Sequence, residues 1–326
     1  MRNGNINNHM RVLTVVVHNG LANRLLPLVS CLRLAKKTNR KLNIIWNGTP
    51  VRSCIRYDGV PCKYRDLFEE NDWIQENQHD LKYDREYNFE YWLNKDMVMD
   101  MSGDGNIYTN YGLYTIIDET EREESNLCMR LCDRISKGGE LIFDRLCGEL
   151  GELLRSDLRP VCDLQHEIGI MRDRYFSEDK KMIGIHIRST DGGFVNIKWD
   201  EMVKKLIRES VKWCNKSDNH GVFLATDNPK YYVEFASKIQ SDKLVFYTPP
   251  KELCGTMSTN VDKFNNDKYN VLCGLIEMML LGECSEGVIG TASSTFSVCG
   301  MLMGYKEGSR KSYYLMENEG DIPENW

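Results

Sequence analysis

Hydrophobic positions along the chain come in short blocks whose spacing switches between that of strands and that of helices. Residues 12–17 read VLTVVV, a continuous apolar, β-branched run that predicts a parallel strand covered on both faces. A polar loop at 18–24 follows. Residues 25–37 then repeat Leu and other apolar side chains at helical spacing and end on Lys36 and Lys37, which suit the negative end of a helix dipole. Residues 42–46 predict the next strand, completing a right-handed strand–helix–strand crossover. From 48 to about 118 the pattern weakens to short helix and loop, with strands near 97–101 and 105–109. Residues 121–137 and 140–154 are helical by apolar spacing, and 161–176 forms another amphipathic helix beyond the Arg159–Pro160 break. That break places a domain boundary at 156–160, dividing the chain into 1–157 and 158–326.

The second half alternates more cleanly. Strands are predicted at 182–187, 221–225, 244–247 and 287–289, with a last one at 312–315. Helices fall at 199–214, from 229 to about 239, at 269–281 and from 295 to 303, and a polar loop fills 249–266. An alternation of this kind predicts an α/β fold.

Composition narrows the class. A length of 326 residues suits two domains of roughly 150 residues each. With 42 basic against 48 acidic residues the chain lacks the positive excess of a general nucleic-acid binder. No apolar run approaches the about 18 residues of a membrane span. The Asn-rich stretch 1–10 has no apolar core of a signal peptide, so the expectation is a cytoplasmic protein or a piece of a longer one. The 12 cysteines include no Cys-x-x-Cys pair. Cys31, Cys128, Cys132 and Cys273 fall in helical apolar patterns, and Cys128 and Cys132 have no second pair to complete a zinc site. Free, mostly buried thiols are expected.

Candidate chemistry gathers where strands end. The strand at 182–187 runs into a polar, glycine-containing turn that puts His186, Arg188 and Asp191 beyond its carboxyl end, where open α/β sheets bind ligands. Arginine grips phosphate through two parallel charge-assisted hydrogen bonds, so Arg188 is read as the holder of a diphosphate. The blander reading is a satisfied histidine and an ion pair between Arg188 and an acid such as Asp191. The turn GTASSTF at 290–296 opens a helix with small residues, and Ser293, Ser294 and Thr295 suit a phosphate there; the same serines also serve as ordinary helix caps. Thr226-Asp-Asn-Pro229 is an ordinary helix start in which Asp227 has a second, lesser part as a nucleotide or sugar contact. In the first half, Gly20 permits close backbone approach, with Asn23 and Arg24 facing the interdomain cleft; the blander reading is a plain turn with Arg24 solvated. The loop is not G-x-G-x-x-G, so dinucleotide binding is not supported. Trp92, Tyr108 and Tyr111 are core aromatics or stacking faces for a sugar.

Taken in order, Gly20-Leu-Ala-Asn-Arg24, Ile185-His-Ile-Arg188, Leu224-Ala-Thr-Asp227 and the turn from Gly290 to Ser297 resemble the hallmarks of a known family. It is the α1,6-fucosyltransferase and nodulation-type fucosyltransferase family, within the wider protein O-fucosyltransferase superfamily. Residues 48–155 match little of it. The resemblance implies a GT-B architecture: two Rossmann-like domains facing across a cleft, with the acceptor toward 1–157 and the donor in 158–326. It implies an inverting, metal-independent transfer of fucose from GDP-fucose to a glycan or glycoconjugate hydroxyl, with the nucleotide sugar as substrate and no cofactor or metal. His186 resembles the residue near the guanosine, and Arg188 the arginine on the β-phosphate. Ser293, Ser294 and Thr295 resemble the second phosphate contact, and Glu277 the acidic guanine reader on the preceding helix.

Two departures stand out. Ser189 occupies the place of a second arginine, and Asn196 stands about where the family has its catalytic acid. Asp191 is then the first candidate for the base and Asp200 the next. A transferase using another GDP- or UDP-sugar and a non-catalytic GDP- or sugar-binding module are the alternative readings. Asp100 and Asp104 are too widely spaced to form an Asp-x-Asp metal motif.

Overall fold

The first apolar run becomes the central strand of a parallel sheet. The computed structural model describes residues 11–17, 20–46, 62–76, 81–87, 98–103, 105–110, 117–118, 138–143, 145–189, 199–248, 268–292 and 294–324. Strand β1 (Val12–Val16) leads through helix α1 (Leu21–Lys37) to β2 (Lys41–Ile45). Short strands β3 (Ile74–Glu76), β4 (Arg85–Tyr87), β5 (Val98–Met99), β6 (Ile107–Asn110), β7 (Ile117–Asp118) and β8 (Gly139–Glu140) follow. The first sheet runs β3-β2-β1-β6-β4, all parallel, and β5 pairs with β7 apart from it. Every residue of β1 is buried, as its unbroken apolar pattern demands.

Helices α2 (Arg145–Ser156) and α3 (Cys162–Tyr175) lead to β9 (Lys181–Ile187), α4 (Trp199–Cys214), β10 (His220–Thr226) and α5 (Pro229–Ala236). Then come β11 (Leu244–Val245), α6 (Lys268–Glu283), β12 (Gly287–Thr291), α7 (Thr295–Gly304) and β13 (Ser312–Met316). The second sheet has the order β11-β10-β9-β12-β13-β8 and is parallel except for β8.

Apolar side chains cover both faces of this second sheet. Ile183, Ile185, Val222 and Leu224 face α4 and α5 with Val203, Leu206 and Phe235. On the opposite face, Met182, Phe223 and Val288 share one continuous core with Leu275 of α6 and Val298 and Leu302 of α7. That core also takes in Leu13, Leu25 and Val29, so α1 of the first half is packed directly against α7 of the second. Gly184 admits this packing, since a Cβ there would stand 3.0 Å from both Cys284 and Leu281.

Two expectations need correcting. Helix α1 begins at Leu21 rather than at 25, with Gly20 as its extended N-cap, so Asn23 and Arg24 lie in its first turn and not in a loop. The stretch expected to be helical from 140 starts as strand β8, which pairs antiparallel with β13, and helix α2 begins only at Arg145. The second sheet therefore draws one strand from before residue 157. Strands β3 and β4, with a single apolar and a single aromatic residue pointing the way, carried no legible alternation. The helix expected at 121–137 and the loop at 249–266 lie outside the described residues. Among the described cysteines, Cys31, Cys62, Cys147, Cys214, Cys284 and Cys299 are buried free thiols. No helix among the described residues is long and apolar enough to cross a membrane.

Candidate functional site

Register brings three strand ends to one rim. His186 of β9 lies opposite Ala225 of β10, and Ile185 opposite Ile289 of β12. The residues just past these positions, Arg188, Asp227 and Thr291, therefore emerge side by side at the carboxyl edge of the sheet, the edge where α/β proteins bind ligands.

Hydrogen bonds tie that rim together. The Arg188 amide donates to Thr291 Oγ1 at 2.8 Å, and the Thr291 hydroxyl donates to the His186 carbonyl at 3.1 Å. Thr291 is fully buried, so its side chain clamps the end of β9 to the end of β12. The Arg188 side chain is 41% exposed, and its Nε stands 3.4 Å from Asp227 Oδ2. Asp227 Oδ1 accepts the Ser189 amide at 3.0 Å, and Asn228 Nδ2 donates to Ser189 Oγ at 3.2 Å. Arg188 is thus held at its inner edge while its side chain stays partly exposed. The acid beside Arg188 among the described residues is Asp227, while Asp191 lies outside them.

His186 points the other way from its neighbours Ile185 and Ile187, toward α7, because successive strand residues face opposite sides. Its ring is buried, stacks on Phe296 with centroids 4.6 Å apart, and places Nδ1 2.7 Å from Ser297 Oγ. Burial, helped by the charge of Arg188, pushes its pKa down to about 3.

Helix α7 opens at the same rim. Its N-cap, Ser294, is buried and extended and makes no side-chain cap bond. The first amides of a helix have no acceptor within it, and those of the partly exposed Thr295 and Phe296 lie at the end of the helix dipole that favours an anion. The Thr295 hydroxyl is bonded to Asn23 Oδ1, which joins the N-terminal turn of α7 to that of α1. This bond, with Cys299 Sγ against the Ala22 carbonyl, is where the two halves meet beneath the rim.

Glu277 of α6 sits half-buried behind Asp227. Its carboxyl is 3.4 Å from the Tyr232 hydroxyl, which also lies 3.2 Å from the Thr226 carbonyl and has one proton to share between the two. Burial pushes the Glu277 pKa up to about 8; the Tyr232 hydrogen bond opposes this and the charge of Asp227 adds to it.

The structure thus brings together His186, Arg188, Asp227, Glu277, Ser294 and Thr295, with Asn23 reaching them from the first half. It does not bring Arg24. That side chain is fully buried, donates to the Val17 and Trp46 carbonyls and lies over the Trp46 ring, so it is neither at a cleft nor solvated. Gly20 is exposed, has φ −62°, and a Cβ there would meet nothing within 4 Å, so nothing in its surroundings requires glycine. Asp200 is exposed and paired with Lys230 at 3.0 Å. Tyr108 packs on Tyr83 with ring centroids 5.1 Å apart. Asp191, Ser293, Asn196, Trp92, Tyr111 and Asp104 lie outside the described residues. Thr291, Tyr232 and Ser297 were not singled out from sequence, since a hydroxyl at a strand end or in a helix turn carries no signal until its partner is placed.

No family profile and no curated protein sequence matches the chain. Solved structures do. The fucosyltransferase NodZ from Bradyrhizobium aligns at TM-score 0.54 and 16% identity, over 90% of this chain and 93% of its own. NodZ α1,6-fucosyltransferase soaked with GDP-fucose aligns at 0.52 and 16%, over 90% and 92%. A variant of FUT1 from Arabidopsis thaliana in complex with GDP aligns at 0.55 and 14%, over 93% of this chain and 72% of its own. The chain has the fold of these fucosyltransferases. The GT-B architecture of two Rossmann-like units expected from the four motifs is therefore the architecture observed, with the described strands forming two main sheets that are parallel except for β8.

Proposed function

We propose that this chain is an inverting, metal-independent glycosyltransferase that moves fucose from GDP-fucose to a hydroxyl of a glycan or glycoconjugate. The observation that carries the reading is the partly exposed side chain of Arg188, anchored by its own amide to Thr291 at the strand end that leads into α7. A cation and a set of helix-start amides converging at one strand edge suit a pyrophosphate. The same fold occurs in proteins solved with GDP or GDP-fucose bound.

The chemistry follows from that placement. The acceptor oxygen attacks the anomeric carbon, the bond from that carbon to the β-phosphate oxygen breaks, and GDP departs with the bonding electrons. Charge growing on the departing phosphate is met by Arg188 and by the amides at the start of α7, whose dipoles are already oriented. The proton of the acceptor hydroxyl passes to a carboxylate, for which Asp191 is the first choice. His186 and Glu277 are assigned to the nucleoside, Asp227 to holding Arg188, and Asn23 to the acceptor side. Residues 1–157 supply that acceptor side and 158–326 the donor side.

Ser189 favours a second reading of the donor. Where a second arginine would add charge, its hydroxyl is engaged by Asn228, which leaves room for another GDP- or UDP-sugar. Calorimetric titration with GDP, GDP-fucose and UDP-sugars, followed by transfer assays scored by product mass, tests both. Binding of GDP with neither transfer nor donor hydrolysis would instead make the chain a sensing module.

A further inference from the structure

The imidazole of His186 is fixed by α7 through Ser297, a fully buried residue in the first turn of that helix. The approach depends on the glycine at position 290. A Cβ there would stand 2.4 Å from Ser297 Cβ and 2.5 Å from its Oγ, so any other residue would push the hydroxyl away from the ring. Stacking on Phe296 sets the plane of the imidazole, and Ser297 sets its rotation within that plane.

The hydroxyl has two neighbours of different kinds. Thr291 O, at 3.3 Å, is a carbonyl and can only accept; His186 Nδ1, at 2.7 Å, can do either. When the single hydroxyl proton goes to Thr291 O, the lone pair left facing the ring accepts, so Nδ1 must carry a proton and Nε2 must not. The adjacent hydroxyl obeys the same order: Thr291 Oγ1 donates to the His186 carbonyl and accepts the Arg188 amide. The reverse assignment would leave the Ser297–Thr291 contact without a proton, with the Ser294 amide at 3.3 Å as the remaining donor to that carbonyl.

We infer that Ser297 is a positioning residue that locks His186 in the Nδ1–H tautomer, so that Nε2 is presented as a hydrogen-bond acceptor to an N–H or O–H donor of the bound nucleotide. The nucleotide half of this inference rests on the proposed function. A guanine edge, with its ring N–H and exocyclic amine, or a ribose hydroxyl supplies such a donor. A base edge that offers only acceptors at that point does not.

The test uses the full chain labelled with ¹⁵N at histidine, with long-range proton–nitrogen spectra reporting which ring nitrogen carries the proton. The His186 signals are identified by their loss in His186→Gln. The wild-type chain is expected to show Nδ1–H and a bare Nε2. Ser297→Ala is expected to shift the ring toward Nε2–H and to weaken GDP binding about tenfold, with pyrophosphate binding unchanged, because a purely structural role would move neither tautomer nor selectivity. An Nε2–H ring in the wild-type chain overturns the lock, and that measurement needs no variant to fold. An Nδ1–H ring that persists in Ser297→Ala overturns it as well. A wild-type chain with the Nδ1–H ring that does not bind GDP overturns the proposed function and the nucleotide half of this inference, while the lock itself is upheld by the spectrum.

Discussion

The guanidinium of Arg188 lies 3.4 Å from one oxygen of Asp227, and the other oxygen of that carboxylate takes the Ser189 amide at 3.0 Å. One acid therefore orients the cation and pins the backbone beside it. Replacing Arg188 with Ala is expected to lower kcat for transfer roughly 10²-fold or more, the scale of losing one charge-stabilising donor. Because its side chain is well exposed, thermal unfolding should be little changed. A near-normal rate in that variant would sink the mechanism.

Asp227→Asn separates orientation from charge. The amide oxygen can still accept from Ser189, while the counter-charge beside Arg188 disappears. The expected outcome is a kcat about tenfold lower, as the cation loses its fixed direction, with KM for the donor unchanged or reduced. Steady-state kinetics with varied GDP-fucose reads this split, and a raised KM at full kcat contradicts it.

His186 and Glu277 titrate in opposite senses. His186 falls from 6.5 to about 3, so the unfolded chain binds the extra proton between those values and stability is lost as pH falls through that window. Glu277 rises from 4.5 to about 8, so the folded chain binds the extra proton and stability is lost as pH rises toward 8. Each slope is about 1.4 kcal/mol per pH unit where it acts alone, and the two oppose each other where the windows overlap. Urea unfolding against pH should show Glu277→Gln losing the decline on the alkaline side and His186→Gln losing the decline on the acid side. Parallel curves for wild type and both variants would refute the assignments.

Arg24 provides a test of structure against cleft. Fully buried and bonded to the Val17 and Trp46 carbonyls, it should behave as a core residue, and Arg24→Ala should cost about 3 kcal/mol of stability. An Arg24→Ala chain as stable as wild type but inactive would return this side chain to the acceptor site.

Thr291→Val keeps the shape of the side chain and removes both of its bonds. Leaving the Arg188 amide and the His186 carbonyl without that partner is expected to cost about 1–3 kcal/mol and to lower GDP affinity in parallel, since the ends of β9 and β12 are no longer clamped. Denaturant midpoints and calorimetry on one preparation check the pair.

Much of the scaffold could be read one residue at a time. The alternation in 182–187 and the β-branched run at 12–17 predicted strands that are present within a residue or so at each end, because burial on two faces leaves a periodic trace in the local sequence. Elements with little apolar content left none, which is why β3, β4 and β8 were missed. The start of α1 was misplaced for a related reason: Gly20 has no side chain to announce a cap.

Chain chemistry alone determined that an arginine, a histidine and a hydroxyl-rich turn stand at strand ends, because residue type and strand position are both written locally. Only the tertiary structure decided their partners: that Arg188 answers to Asp227, His186 to Ser297, and Thr295 to Asn23 from the other half. Those pairs are separated by tens to hundreds of residues, and strand order and register, set by how a shared core packs, are what bring them within reach.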